Sequence, residues 1–515
     1  MPKFVSRIYL FVTLLLSTLT LQSISYASIN GISDRVYLNK LQGAWLGKCI
    51  GGAVGMPLEG WNYKDIEKKF PAIDGYTGYF TYYQVGWSGI IETVTIPKDD
   101  EWRHCNVRLR VPAHDELNTH PSLVIGMSFE YSKEPMAWEM RNIRILRPTN
   151  AIVFSSDNWK PVLGCYWAGK DQINMDYHGE RSLLKLAPGL SKNLNLSKDD
   201  EMLISFDARW KSGDNRIGLS FDYMTNSNRK GFGPDDDTSY QIVGLDTLET
   251  YGPDISSGMI AKQWAEHVPN DIPEYLAEGL ALKRIKSGIM PPASGEHLIG
   301  EAIGGQMKGE IWGQICPGRP DLAAEYGRRD GVVAHCKNGV YGEQFVAAMM
   351  SAAFKEKSTR KLVDIGLAHI PDDSQYAKVV GGIADKFDKG IDWRSVRNDL
   401  IAEYPNMCDP VYADAGVIAI AILYGQGDFE KTVSIAASCG SDTDCNTATA
   451  GALVGCIIGA DAIPMKWKEP IDNQFKCFAI GLENWKITDL CRRIQTAAKK
   501  VMKHHNTGIR FTTGI

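Results

Sequence analysis

Glycine recurs at every fourth position twice in this sequence, at Gly43, Gly47, Gly51 and Gly55 and again at Gly451, Gly455 and Gly459. A four-residue spacing puts all members of a set on one face of an α-helix. Each glycine inside a helix costs about 1 kcal/mol relative to alanine, so a whole face of glycine needs a structural reason. Close approach is one, because a face without Cβ atoms lets another backbone lie directly on it. The pattern predicts two very tightly packed helices, each set a ready partner for the other. The competing reading is that part of each stretch is glycine-rich loop.

Around these ladders the chain of 515 residues changes texture twice, and its length points to two folded units. Residues 38–70 read as helical. Residues 86–228 read as β: Val107, Leu109 and Val111 alternate with Arg108 and Arg110, and Ile204, Phe206, Ala208 and Trp210 alternate with Ser205, Asp207 and Arg209. Ile217, Leu219, Phe221 and Tyr223 continue the pattern, with turn clusters between the runs, as in a sandwich or jelly roll. Trp87, Trp102, Trp138, Trp159, Trp167 and Trp210 fall in this block and are expected to fill its core rather than stack on sugars. From Asp237 onward the pattern is helical again. "FVAAMMSAAF" (345–354) and "VIAIAIL" (417–423) are apolar nearly all round, as central bundle helices are. Segments 273–287 and 392–404 are amphipathic. The expected organisation is a helical domain made of 28–85 and 229–515, with an all-β domain of 86–228 inserted into it.

Residues 1–27 stand apart. Lys3 and Arg7 precede an apolar run, and Ser25-Tyr26-Ala27 offers small residues at the −3 and −1 positions of a cleavage site. This reads as a secretory signal peptide, so the expected address is secreted or periplasmic, with no membrane insertion after cleavage. A net charge of −5 gives no reason to expect a nucleic-acid partner. The 11 cysteines have no metal-site spacing and read as buried thiols with one or two disulfides at most. Without CxxC, HExxH or HxH, zinc is not indicated.

The acidic residues lie beside the ladders. Glu59 follows the first in "GMPLEG". Asp442 and Asp444 precede the second in "CGSDTDCNTATAGALVG". Asp235, Asp236 and Asp237 open a helical pattern in "GPDDDTSYQIVGL". An aspartate before a helix is ordinarily an N-cap. Capping uses one carboxylate, however, and three stand together here. If both helix ends face one cleft, the carboxylates converge and need a cation. Hard oxygen ligands without histidine suit Mg²⁺, Mn²⁺ or Ca²⁺.

These three motifs, in this order, resemble the ADP-ribosylglycohydrolase superfamily, which includes the dinitrogenase-reductase-activating glycohydrolases. "GAWLGKCIGGAVGMPLEG" resembles the family's opening helix and following Glu. "PDDDTSYQIVGL" resembles its first metal motif, and the Asp442 motif its last. The resemblance covers roughly 41–61 and 233–485. It implies an all-α bundle holding one or two Mg²⁺ or Mn²⁺ ions and hydrolysing a glycosidic bond of ADP-ribose. It makes Asp236, Asp237, Asp442 and Asp444 the metal ligands, with Asp444 bridging, and Asp235 would add its charge at the first metal. Glu59 would act near the attacking water, with Asp236 as its catalytic partner. Gly304, Gly305 and Gln306 in "GGQMKGEIWG" resemble a family segment that contacts substrate. Asp330 and His335 read as structural. The sequence departs from the pattern where Asp235 and Cys445 stand in place of threonine, so Cys445 and Asn446 join the candidate ligands. The expected function is a secreted metal-dependent hydrolase of a ribosyl-type bond on a small-molecule or glycan substrate. The alternatives are a glycosidase acting on a glycan sugar and a sugar-binding protein without turnover.

Overall fold

The computed structural model describes residues 31–76, 82–110, 119–127, 136–146, 201–213, 215–226, 231–270, 276–405 and 409–512, with Ile272 and five short strands between 152 and 186. The signal-peptide reading of 1–27 lies outside the described residues. The described chain is mostly helical. In chain order, the helices that position the site are α1 (Asp34–Gly55), α2 (Asp236–Tyr251), α3 (Ala277–Lys286), α4 (Asn338–Ala353), α5 (Tyr412–Gly425) and α6 (Thr443–Ile458). Ser33 starts α1 by accepting a hydrogen bond from Val36 N–H at 3.3 Å, the usual work of a serine N-cap.

The ladders meet each other. A Cβ built on Gly43 would lie 2.2 Å from the carbonyl oxygen of Gly455, one on Gly47 2.0 Å from that of Gly451, one on Gly51 2.1 Å from that of Thr447, and one on Gly55 2.0 Å from that of Thr443. Partner numbers fall as ladder numbers rise, so α1 and α6 run antiparallel with their backbones in contact. The second ladder is therefore Thr443, Thr447, Gly451 and Gly455. Gly459, expected to belong to it, instead ends α6 with φ 82°, a left-handed conformation that glycine adopts without strain.

Around this pair, α4 and α5 are buried nearly all round, as their apolar runs predict. Amphipathic helices cover them. Trp393–Glu403 buries Val396, Arg397 and Leu400 and is capped by Asp392. A short parallel pairing of Gly31–Ser33 with Arg510–Thr512 joins the two ends of the described chain. Among the described residues no helix is long and apolar enough to cross a membrane.

Strands run from Tyr82 to Asn226 and form two antiparallel sheets. One has the order Tyr82–Thr95, Arg216–Asn226, Thr119–Met127, Leu183–Leu186, Trp159–Val162. The other has the order Arg103–Arg110, Glu201–Ser212, Met136–Leu146, Gln172–Tyr177, Cys165–Trp167, with Ile152–Phe154 beside Met136–Leu146. Ile204, Phe206 and Ala208 are buried as expected, but Ser205 between them is buried too and Trp210, expected in the core, is only partly buried; Trp138 is fully buried. Trp102 differs: its ring is flanked by the guanidinium groups of Arg141 at 4.0 Å and Arg209 at 4.8 Å. The side chains of Trp87, Trp159 and Trp167, and residue Val111, lie outside the description. None of the nine described cysteines forms a disulfide, and eight of them are buried.

Candidate metal centre

The antiparallel ladder brings the start of α6 to the end of α1. There Thr443 Oγ1 donates to Gly55 O at 2.8 Å, and Thr443 N–H donates to Glu59 Oε2 at 3.1 Å. The adjoining loops are tied by Gly60 N–H to Ser441 O at 3.2 Å and Ser441 N–H to Trp61 O at 3.4 Å. Asp442 is the N-cap of α6, accepting from Cys445 N–H at 3.3 Å, and Asp444 accepts from the same N–H at 3.0 Å.

Helix α2 arrives with the aspartate triplet. Asp235 is its N-cap, and Oδ1 accepts from both the N–H and the hydroxyl of Thr238 at 2.9 Å. Asp237 is buried, and its Oδ1 accepts from Lys48 Nζ at 2.9 Å. Lys48 projects from α1 and also donates to Glu310 Oε1 at 3.0 Å and Met307 O at 3.2 Å. Gln241 Nε2 donates to Glu310 Oε2 at 2.9 Å. A buried cation thus holds two buried carboxylates, the arrangement that makes such burial tolerable. Asp236 is only partly buried. Its carboxyl is nonetheless raised to about 8, first by desolvation and then by the charges of Asp237, Asp444 and Glu278. Carboxylates from two helix starts repel one another here in the absence of a cation.

Two triads of donor atoms result, Asp236–Asp237–Cys445 and Asp442–Asp444–Cys445, and within each all atoms lie within 4.8 Å of one another. Ligands on opposite sides of one ion stand about two bond lengths apart, ~4–5 Å. The buried Oδ2 of Asp237 and Oδ1 of Asn446 have no hydrogen-bond partner, which buried polar groups rarely tolerate. Position, charge and unpaired oxygens all fit a divalent cation.

A family model for ADP-ribosylglycohydrolase matches residues 164–504. The chain belongs to the ADP-ribosylglycohydrolase family. A solved structure described as an "ADP-ribosylglycohydrolase-related protein complex" is 18% identical with a TM-score of 0.36, over 52% of this chain and 82% of that one. None of the curated proteins compared matches. The family's reaction is hydrolysis of glycosidic bonds, and its members are typically divalent-metal dependent. The match does not extend to α1 and Glu59. They join this ADP-ribosylglycohydrolase domain through the ladder.

The structure thus brings together Asp236, Asp237, Asp442, Asp444 and Cys445. Asp235 belongs to neither triad; its Oδ1 caps α2, and its buried Oδ2 has no hydrogen-bond partner. Glu59 reaches the same helix start but belongs to neither triad. Asn446 Nδ2 donates to Asp414 Oδ1 at 2.8 Å on α5. Gly304 and Gly305 lie in a buried 3₁₀ turn, Ile303–Lys308. Their missing side chains admit neighbours: a Cβ would meet Glu278 Oε1 at Gly304 and the carbonyl oxygen of Gly339, at 2.3 Å, at Gly305. Gln306 is buried and accepts from the Tyr376 hydroxyl.

Sequence reasoning missed Lys48, Gln241, Glu310 and Glu278. Glu278 lies on α3, and His335 Nε2 is 3.0 Å from its Oε1. Burial alone raises the Glu278 carboxyl, but the His335 hydrogen bond and charge, with Lys308 beyond, bring it down to about 2. Asp330 is structural as expected. Buried Lys308 lies 3.5 Å from Asp330 Oδ1 and 3.4 Å from Glu343 Oε2, while Trp312 Nε1 donates to both carboxylates. His335 also borders a cavity of about 1070 Å³ whose wall includes Glu296, Glu301, Asp409, Tyr341 and Tyr412. None of the triad residues lines it.

Proposed function

We propose that this ADP-ribosylglycohydrolase-family chain is an exported, metal-dependent glycosidase that uses the centre between α2 and α6. The observation that carries this reading is the convergence of Asp236, Asp237, Asp442 and Asp444 on Cys445. Asp236, Asp237, Asp442 and Asp444 would hold a Mg²⁺ or Mn²⁺ ion, which would supply Lewis acidity at the sugar. Lys48 and Glu310 hold Asp237 in place. Glu59, fixed by the Thr443 amide, orients the attacking water and takes its proton. Asp236, the partly exposed member of its triad, meets the substrate side. Export rests on 1–27. The strands between Tyr82 and Asn226 form, in this reading, an inserted sandwich domain that walls the cleft, and Gly304, Gly305 and Gln306 shape its floor.

The family points to a ribosyl or ADP-ribosyl bond. One observation favours a glycan sugar instead. Three carboxylates, Glu296, Glu301 and Asp409, and two tyrosines line the cavity behind His335. Carboxylates accept hydroxyl hydrogen bonds and aromatic rings stack on sugars, and Arg328 and Lys337 also line the wall. Turnover assays on ADP-ribosyl and neutral glycosyl conjugates, run with Glu59→Gln, test both readings. Glu59→Gln is expected to lose turnover and keep its metal. Full activity in that variant removes Glu59 from the mechanism. Binding of sugar without turnover by the wild type favours a binding protein.

A further inference from the structure

The two triads are not independent, because Cys445 belongs to both. A pair of hard-cation sites would share an oxygen, and here the shared donor is sulfur. A second sulfur faces the same point: Cys445 Sγ lies 3.9 Å from Met307 Sδ, and both residues are buried. The carboxylates around them accept hard and borderline ions alike. Asp237 is 1% exposed, with one oxygen on Lys48 and the other, Oδ2, without a hydrogen-bond partner. Thiolate and thioether donors shift selectivity toward borderline and soft ions.

We infer that Cys445 is a metal ligand as its thiolate, and that the centre selects a thiophilic divalent ion of the Co²⁺ or Zn²⁺ class over Mg²⁺ or Ca²⁺. This rests on the metal-centre reading above and revises its choice of ion. On binding, the metal–sulfur bond forms as the S–H bond breaks, and the proton leaves to solvent. The carboxylates remain ligands, so the protein keeps a centre of mixed sulfur and oxygen donors.

The test is titration of the chain from Ser28 with Co²⁺, followed by calorimetry and by near-ultraviolet absorbance, where thiolate-to-cobalt charge transfer appears. The wild type is expected to show a saturating charge-transfer band and to bind Co²⁺ and Zn²⁺ more tightly than Mg²⁺ by at least about tenfold. Cys445→Ser is expected to lose the band and that preference while still binding Mg²⁺. Cys336→Ser, at the one partly exposed described cysteine, is expected to keep both. Co²⁺ binding without the band, or a band lost in Cys336→Ser and kept in Cys445→Ser, overturns the inference and leaves the metal centre standing. Failure of the wild type to bind any of these ions overturns both. Should Cys445→Ser not fold, Asp444→Ala provides the second check. It keeps the thiol, so it should retain a weakened band, and an unchanged affinity there overturns the assignment.

Discussion

Alanine at Gly47 tests the ladder directly. Its Cβ would lie 2.0 Å from the carbonyl oxygen of Gly451 and 2.6 Å from the carbonyl carbon. Carbon–oxygen contacts close no nearer than about 3.3 Å, so α1 and α6 must part by roughly 1 Å at this step. A gap of that size forfeits a quarter to a half of each dispersion contact along the seam. Overpacking of this kind costs about 1–3 kcal/mol. The better helix propensity of alanine returns at most about 1 kcal/mol. Gly47→Ala is therefore expected to be destabilised by ~1–2 kcal/mol net. Gly382, inside the helix Gln375–Asp388, has nothing within 4 Å of its would-be Cβ. The same change there gains propensity without a clash and should stabilise by about 0.5–1 kcal/mol. Scanning calorimetry and urea titration of the two variants should shift in opposite directions. Equal or greater stability of Gly47→Ala would refute the reasoning, whatever the behaviour of the control.

Four further outcomes follow from the site. Asp236→Ala and Asp444→Ala should each weaken metal binding measurably in calorimetry, because each removes one carboxylate from one triad. Asp235→Ala should keep metal binding and lose about 1 kcal/mol of stability, the ordinary worth of an N-cap; loss of metal would return Asp235 to the ligand set. Lys48→Met leaves Asp237 and Glu310 buried without their cation and should destabilise by about 3–5 kcal/mol in denaturant titration, with partial recovery in the double variant with Glu310→Gln. His297 is lowered from 6.5 to about 4 by burial and then by the nearby charges of His335 and Arg284. Between those values the unfolded chain holds the proton and the folded chain does not. Its contribution is thus full above pH 6.5 and lost as pH falls toward 4, amounting to about 3 kcal/mol at most. His297→Asn should flatten that part of the stability profile.

The parts legible in the sequence were the periodic ones. Glycine every fourth residue announces a close helix contact, and apolar runs such as 345–354 announce central helices. The partner face was misjudged at one end for a physical reason. Thr443 and Thr447 continue the second ladder backward because a threonine can offer its backbone carbonyl to a glycine, whereas Gly459 matches the spacing but lies past the end of the helix. Asp235 follows from local capping alone. Sequence does not tell which carboxylate of the triplet also caps the backbone, and capping does not by itself remove a carboxylate from the centre, since Asp442 caps α6 and belongs to a triad. Lys48 and Glu310 carry no local signal, since one is a lysine within a glycine-rich run and the other a glutamate after "GGQMKG". Their pairing exists only once α1, α2 and the turn Ile303–Lys308 are packed. Glu278 was hidden likewise, in a helix whose pattern explained its apolar face but not the acid on it.

Backbone-to-backbone packing at four steps gives α1 and α6 a length standard. Two smooth helices can slide, but here each glycine faces a carbonyl at a fixed step, and the next matching step lies four residues on. A slip by one step would carry Cys445 about 6 Å along the axis from Asp236 and Asp237 on α2, beyond the 4.8 Å that defines their triad. The seam therefore works as a gauge with one setting, and side-chain-free atoms far from any ligand define how accurately the centre is built.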